Sequence, residues 1–112
     1  MKDVLDEDHL EIAKNAWARV EGADKADLAE AWVQNRLVWQ TALDQLTNIS
    51  FAMVGQEARP LVMADRQAFD ALIKADMQAW ALFYPDSAVP AEFCAREMME
   101  RVIALCGVMP MK

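Results

Sequence analysis

The chain has 112 residues, 55% of them hydrophobic, and a net charge of −7. This length corresponds to a single domain and excludes separate cofactor and substrate domains. An acidic surface without a basic stripe disfavours direct binding of nucleic acid. Apolar runs fall short of the roughly 20 residues that span a bilayer, and the acidic start lacks the basic, then apolar order of a secretory signal. We therefore expect one cytoplasmic domain over residues 1–112, without membrane contact.

The composition favours helices, with 20 Ala against 15 Val, Ile and Thr together and only three Gly. Asp8 and Glu11 have the spacing of a capping box, which predicts a first helix over residues 8–21. Gly22 then stands where a left-handed cap ends such a helix. We predict an all-α fold, a small bundle of about four helices.

The second predicted helix begins near Asp24 and meets no Gly or Pro before Gly55. Its apolar residues alternate steps of three and four for almost four heptads. A helix of about 29 residues is roughly 43 Å long, whereas a compact domain of this size is about 27 Å wide. We therefore expect part of this helix to protrude from the bundle and to form a dimer.

The third predicted helix starts at Leu61 or Ala64 and ends at Phe83, because Pro85 pushes the preceding residue out of the helical region. Its apolar side is predicted to contain Phe69, Leu72, Ile73, Met77, Trp80 and Tyr84. Pro90 suits the first turn of a fourth helix that ends at Gly107. The two adjacent apolar stripes of this fourth helix indicate that it is buried inside the fold.

Groups typical of catalysis or metal binding are missing from the sequence. Cys94 and Cys106 lie about 18 Å apart along one predicted helix, so they cannot bridge to each other within it, and with His9 they fall short of four zinc ligands. Buried, reduced thiols are expected. We predict no catalytic residue, no cofactor, no metal and no enzyme activity.

Two of the four Trp residues, Trp32 and Trp39, lie one heptad apart on the long helix. Core packing explains them, and so does a hot spot of an interface, where a large aromatic side chain buries apolar area against a partner. Asn35 on the same seam either fixes how two copies pair or lies at an exposed edge. The interface is predicted to contain Trp17, Leu28, Trp32, Val33, Asn35, Arg36, Leu37, Trp39, Leu43 and Leu46.

The helix that opens with Asp27 and Leu28 and contains Arg36, together with the final segment VIALCGVMP at residues 102–110, resembles the TraM-like quorum-sensing antiactivators. Those proteins are small, helical, acidic and dimeric, and end in a helix followed by Gly, two apolar residues and Pro. Size, composition and a Trp-bearing helix also resemble the QslA-like antiactivators. The first helix, which carries Trp17, has no counterpart.

The resemblance implies a helical homodimer that binds a LuxR-type transcription factor and blocks its dimerisation or its DNA binding. The docking surface is expected on the first two helices, because residues 1–30 hold nine acids against four bases and the Trp-rich seam follows. An alternative is a helical scaffold or chaperone, of a phage, secretion or anti-defence system, that covers an apolar surface of a client protein.

Overall fold

The computed structural model describes residues 7–108, and within that range every regular element is helical, which confirms the all-α fold class. Residues 1–6 and the end of the resembling segment, Met109 and Pro110, lie outside the described residues. The elements are α1 (Glu7–Gly22), α2 (Leu28–Met53), a 3₁₀ turn (Gln56–Ala58), α3 (Arg59–Phe83) and α4 (Val89–Val108).

Two predicted helix ends are wrong in detail. Helix α1 already begins at Glu7, so Asp8 lies inside its first turn and is not the capping residue. Gly22 is the last residue of α1, and none of the glycines in residues 7–108 has a positive φ. The chain leaves the helix through a bond from the Ala23 amide to the Val20 carbonyl, 3.3 Å long, so no left-handed cap is needed.

Helix α2 starts at Leu28, one turn later than predicted. Asp24 belongs to a turn in which its own side chain accepts a hydrogen bond from the Asp27 amide at 3.2 Å. Helix α3 starts slightly earlier than predicted, at Arg59, because Pro60 needs no amide partner in the first turn of a helix.

Helix α2 is the centre of the bundle and is covered by α1 and α4, while α3 packs mainly on α4. The larger core cluster joins Trp39, Leu43 and Leu46 of α2 to Met98 and Val102 of α4. The second cluster lies nearer the start of α2 and is built from Val20, Ala31, Trp32, Ala91 and Ala95. Small side chains on α4 let its backbone approach α2 closely.

The domain is an elongated slab that measures 47 × 30 × 16 Å. With 26 residues, α2 is about 39 Å long and fits within the longest dimension. The structure therefore does not show α2 protruding from the bundle. The expectation came from a domain width that assumed a nearly spherical shape. None of the helices within residues 7–108 is long and apolar enough to cross a membrane.

Candidate functional site: the exposed apolar surfaces

Half of the predicted interface residues lie in the core of the chain itself. Trp32, Asn35, Trp39, Leu43 and Leu46 are between 1% and 7% exposed. Apart from Asn35, they belong to the two core clusters that α2 forms with its neighbours. The heptad seam of α2 is thus buried against α4, and in this state it offers a partner almost no apolar area.

Three further predicted residues are half-buried at the junction of α1, α2 and α4. Trp17 meets Trp32 edge to face, with ring centroids 5.6 Å apart, and Leu28 and Val33 pack on the same cluster. The guanidinium carbon of Arg96 lies 5.4 Å from the Trp17 centroid and 5.1 Å from the Trp32 centroid. Cation–π attraction of this kind fixes the three helices together.

Leu37 is the predicted interface residue that keeps the largest exposed apolar surface, at 41%. It lines a shallow groove of about 230 Å³ between α1 and α2, together with Ile12, which is 52% exposed. The other lining residues are His9, Gln34, Val38 and Thr41. This groove is the accessible part of the surface that the sequence favoured.

Arg36, the remaining predicted residue, is half-buried and lines a different groove, of about 360 Å³, between α2 and α3. Lys74 and Asp70 give this groove charges of both signs, and Ile73, Met77 and Met98 form part of its apolar lining. The Nε atom of Arg36 is buried, and no partner for it lies among the described residues.

A pair of carboxyl groups that the sequence did not predict lies between α3 and α4. Burial, then a hydrogen bond to Asp76 and the charge of that carboxylate, together raise the pKa of Glu97 to about 7. Asp76 and Glu97 are far apart in the sequence, so only the packing of α3 on α4 brings them together. Glu97 therefore exchanges its proton near neutral pH.

Both cysteines are free and buried, as predicted. Burial raises the pKa of the Cys94 thiol to about 11, with the charge of Glu97 adding to the effect, and burial also raises the pKa of Cys106. Thiols of this kind stay protonated and are poor nucleophiles. Within residues 7–108, the His, Cys, Asp and Glu side chains form no group of three or more that is placed to hold a metal ion.

A long exposed apolar surface follows α3 on the side turned away from the core. It consists of residues that repeat at helical spacing and are all exposed, and we call it the α3 outer face: Leu61, Ala64, Ala68, Ala71, Leu72, Ala75, Ala79 and Leu82. Leu61, Leu72 and Leu82 are 73%, 51% and 82% exposed. Leu72 is therefore separated from Phe69, Ile73 and Met77, with which it was predicted to share one side, because α3 has apolar residues on two sides and the core takes the other one.

A second exposed surface lies where α3 turns into α4, and we call it the aromatic corner: Trp80, Phe83, Tyr84 and Phe93. The Trp80 ring stacks on Tyr84 with centroids 5.8 Å apart and contacts Phe93 at 4.5 Å. Phe83 is 76% exposed, and Tyr84 and Phe93 are 45% and 38% exposed. The prediction that the fourth helix is buried inside the fold is thus wrong at Phe93, in the second turn of α4.

No family model, curated protein or solved structure matches this chain. Its function is therefore inferred from its own surface.

Proposed function

We propose that this chain is a non-enzymatic binding protein that docks on another protein through the aromatic corner. The exposure of Phe83, which precedes Tyr84 in the chain, and of Tyr84 and Phe93, which both contact Trp80, supports this proposal most directly. A single exposed apolar side chain is ordinary, whereas several large aromatic side chains together are typical of an interaction surface.

The aromatic corner is suited to anchor a partner because two of its three exposed rings are held in place before binding. Trp80 contacts both Tyr84 and Phe93, so two of the exposed rings have little freedom to lose. Asp86 follows immediately after Pro85, and the whole chain is acidic. A partner with an apolar pocket and a basic rim complements such a surface, since opposite charges speed encounter.

As partner we propose a LuxR-type transcription factor, whose dimerisation or DNA binding is blocked. The resemblance of α2 and α4 to the TraM-like antiactivators supports this class, and a DNA-binding protein supplies the basic surface. Inhibition follows from mass action, because a protein that binds the receptor monomer removes it from the equilibrium that leads to the DNA-bound dimer.

The proposed surface differs from the one favoured by the sequence, which placed docking on the first two helices. Those helices carry the excess acid, but Trp32 and Trp39 are buried and Trp17 is half-buried. An interface needs an apolar anchor as well as a charged rim. The aromatic corner has such an anchor. On α1 and α2, the groove beside Leu37 is the competing candidate for the docking surface.

A gel shift tests the proposal. The protein is titrated into a complex of a LuxR-type receptor with its promoter DNA, and we expect the complex to disappear. Phe83→Ser should weaken this inhibition at least thirtyfold, the effect of losing a hot spot worth about 2 kcal/mol. The matched variant Leu37→Ser, at an exposed residue of the α1–α2 groove, should inhibit like the wild type.

The outcomes separate the parts of the proposal. If Leu37→Ser loses inhibition and Phe83→Ser keeps it, the surface lies on α1 and α2. If the receptor complexes of the host all stay intact at a large molar excess of protein, the LuxR-type class is wrong. The alternative, a scaffold or chaperone that covers an apolar surface of a client protein, then becomes the leading proposal.

A further inference from the structure

The α3 outer face forms an unbroken apolar strip on an exposed helix. From Leu61 to Leu82 it covers three heptads, which is about 32 Å along the helix axis. The opposite side of α3, with Phe69, Ile73 and Met77, packs on the core. The charged residue beside the strip, Asp65, is already ion-paired with Arg101 of α4.

The order of leucine and alanine along this strip is nearly the same from Leu61 to Leu82 as from Leu82 to Leu61. Leu61 and Leu82 stand at equal distances from the midpoint between Ala71 and Leu72. The same holds for Ala64 and Ala79, and for Ala68 and Ala75. Reversing the direction of the helix therefore places Leu near Leu at both ends and Ala near Ala between them.

We propose that the α3 outer face binds the same face of a second copy of this chain, antiparallel and about a two-fold axis near residues 71–72. In a two-fold contact, each residue of one copy meets the residue of the other copy that lies equally far on the other side of the axis. A strip with a palindromic residue order is therefore complementary to itself. A partner with a different sequence gives no reason for this symmetry. The proposal does not depend on the function of the aromatic corner.

The side chains suit such a pairing. Alanines in the middle allow two helix axes to approach to the short end of the usual 8–10 Å range. The leucines, which are 51% to 82% exposed in one copy, lose contact with water at the ends and centre of the contact. The strip itself carries no charge, so the net charge of −7 on each copy is not concentrated at the contact.

One helix pair buries a modest area, at the low end for specific interfaces, so we expect a micromolar dissociation constant. This contact replaces the α2 seam that the sequence favoured for dimerisation, because Trp39 and Leu46 of that seam are buried within one copy.

Sedimentation equilibrium of the full chain at about 100 µM, far above a micromolar dissociation constant, tests the proposal. Wild-type protein should have twice the chain mass of 12.6 kDa. Ala68→Glu places a carboxylate inside the contact and should weaken the dimer at least tenfold. Ala81→Glu makes the same change on another exposed side of α3 and should leave the dimer intact.

A wild-type monomer at this concentration would overturn the proposal and leave the strip free for a client helix. A dimer that Ala68→Glu leaves unchanged would overturn it as well. Circular dichroism checks that the variant is folded, and Ala75→Glu replaces it if it is not. The gel shift with Phe83→Ser is read separately, so failure of one proposal does not decide the other.

Cross-linking tests the antiparallel orientation. Leu61→Cys and Leu82→Cys are prepared separately, and a short bismaleimide is added to each and to an equimolar mixture. An antiparallel pair predicts a cross-linked dimer in the mixture and little in either variant alone. Strong cross-linking of Leu61→Cys alone indicates a parallel pair and contradicts the two-fold arrangement. The native thiols are buried, and the wild type serves as their control.

Discussion

Arg66 of α3 contacts Asp44 of α2, with 2.7 Å between its Nη2 atom and a carboxylate oxygen. The same guanidinium pairs with Asp70 at 3.0 Å and donates a hydrogen bond to the Thr47 hydroxyl at 3.1 Å. The Arg66 side chain is 12% exposed, against 57% for Asp44. Because α3 packs mainly on α4 and shares few other contacts with α2, Arg66 is the main polar link between α3 and α2.

We expect Arg66→Ala to lower the free energy of unfolding by about 1–2 kcal/mol, since three polar partners lose a nearly buried cation. Asp44→Ala removes one exposed partner and should cost about 0.5 kcal/mol. Urea denaturation followed by circular dichroism measures both. Equal losses for the two variants would contradict the assignment of Arg66 as the central member of this network.

The raised pKa of Glu97 predicts that stability falls as the pH rises. The folded state holds the Glu97 proton up to about pH 7, whereas an unfolded chain releases it near the ordinary value of 4.5. Between these values the folded state binds more protons, so the free energy of unfolding decreases with increasing pH. We expect the free energy of unfolding to fall by on the order of 1 kcal/mol between pH 5 and pH 8. The change is no larger because solvent screens a partly exposed carboxyl group.

The measurement is urea denaturation at pH 5, 6, 7 and 8, with Glu97→Gln as the matched variant. An uncharged amide keeps the shape of the protonated carboxyl, so this variant should lose most of the decrease and be the more stable protein at pH 8. Asp76 on α3 and Glu100 on α4, whose charges act on Glu97, remain in place. A wild-type profile parallel to that of Glu97→Gln would show that Glu97 does not cause the pH dependence.

The sequence predicted the four helices and the buried side of α2, because periodicity and turn residues act locally. The heptad pattern of Trp32, Trp39 and Leu46 specifies that this side is buried, but it does not specify against which helix. A second chain and α4 of the same chain satisfy it equally well. In the structure this side of α2 packs against α4, whose Cys94 and Ala95 are small enough for close approach.

The exposed surfaces were harder to predict for a related reason. Helix α3 is apolar on two sides, so periodicity alone does not decide whether Leu72 or Ile73 faces the core. The α3 outer face is mostly alanine, which gives a weak hydrophobic signal beside the aromatic side chains. The aromatic corner depends on how α4 folds back on α3, since Trp80 and Phe93 meet across that turn.

Charged substitutions at Trp39 and Leu37 distinguish a side chain buried in the core from one that is accessible to a partner. Trp39 is 7% exposed, so Trp39→Glu should lower the free energy of unfolding by at least 3–5 kcal/mol, the range for losing a large core side chain. Leu37→Glu replaces a side chain that is 41% exposed and should change stability by less than about 1 kcal/mol. Thermal unfolding followed by circular dichroism compares them. A folded and stable Trp39→Glu variant would mean that the α2 seam is accessible after all.

Asn35 is 1% exposed, and neither its amide nitrogen nor its carbonyl oxygen has a hydrogen-bond partner among the described residues. The exposed-edge alternative for Asn35 is therefore wrong. An unpaired buried amide costs about 1–3 kcal/mol, so Asn35→Leu, which fills a similar space with apolar atoms, should raise the free energy of unfolding by about 1–2 kcal/mol. Asn35→Ala removes the same amide but leaves a cavity, so it should gain less. Urea denaturation of both variants makes the comparison, and a loss of stability in Asn35→Leu would indicate that the amide is satisfied through an interaction outside one copy of residues 7–108.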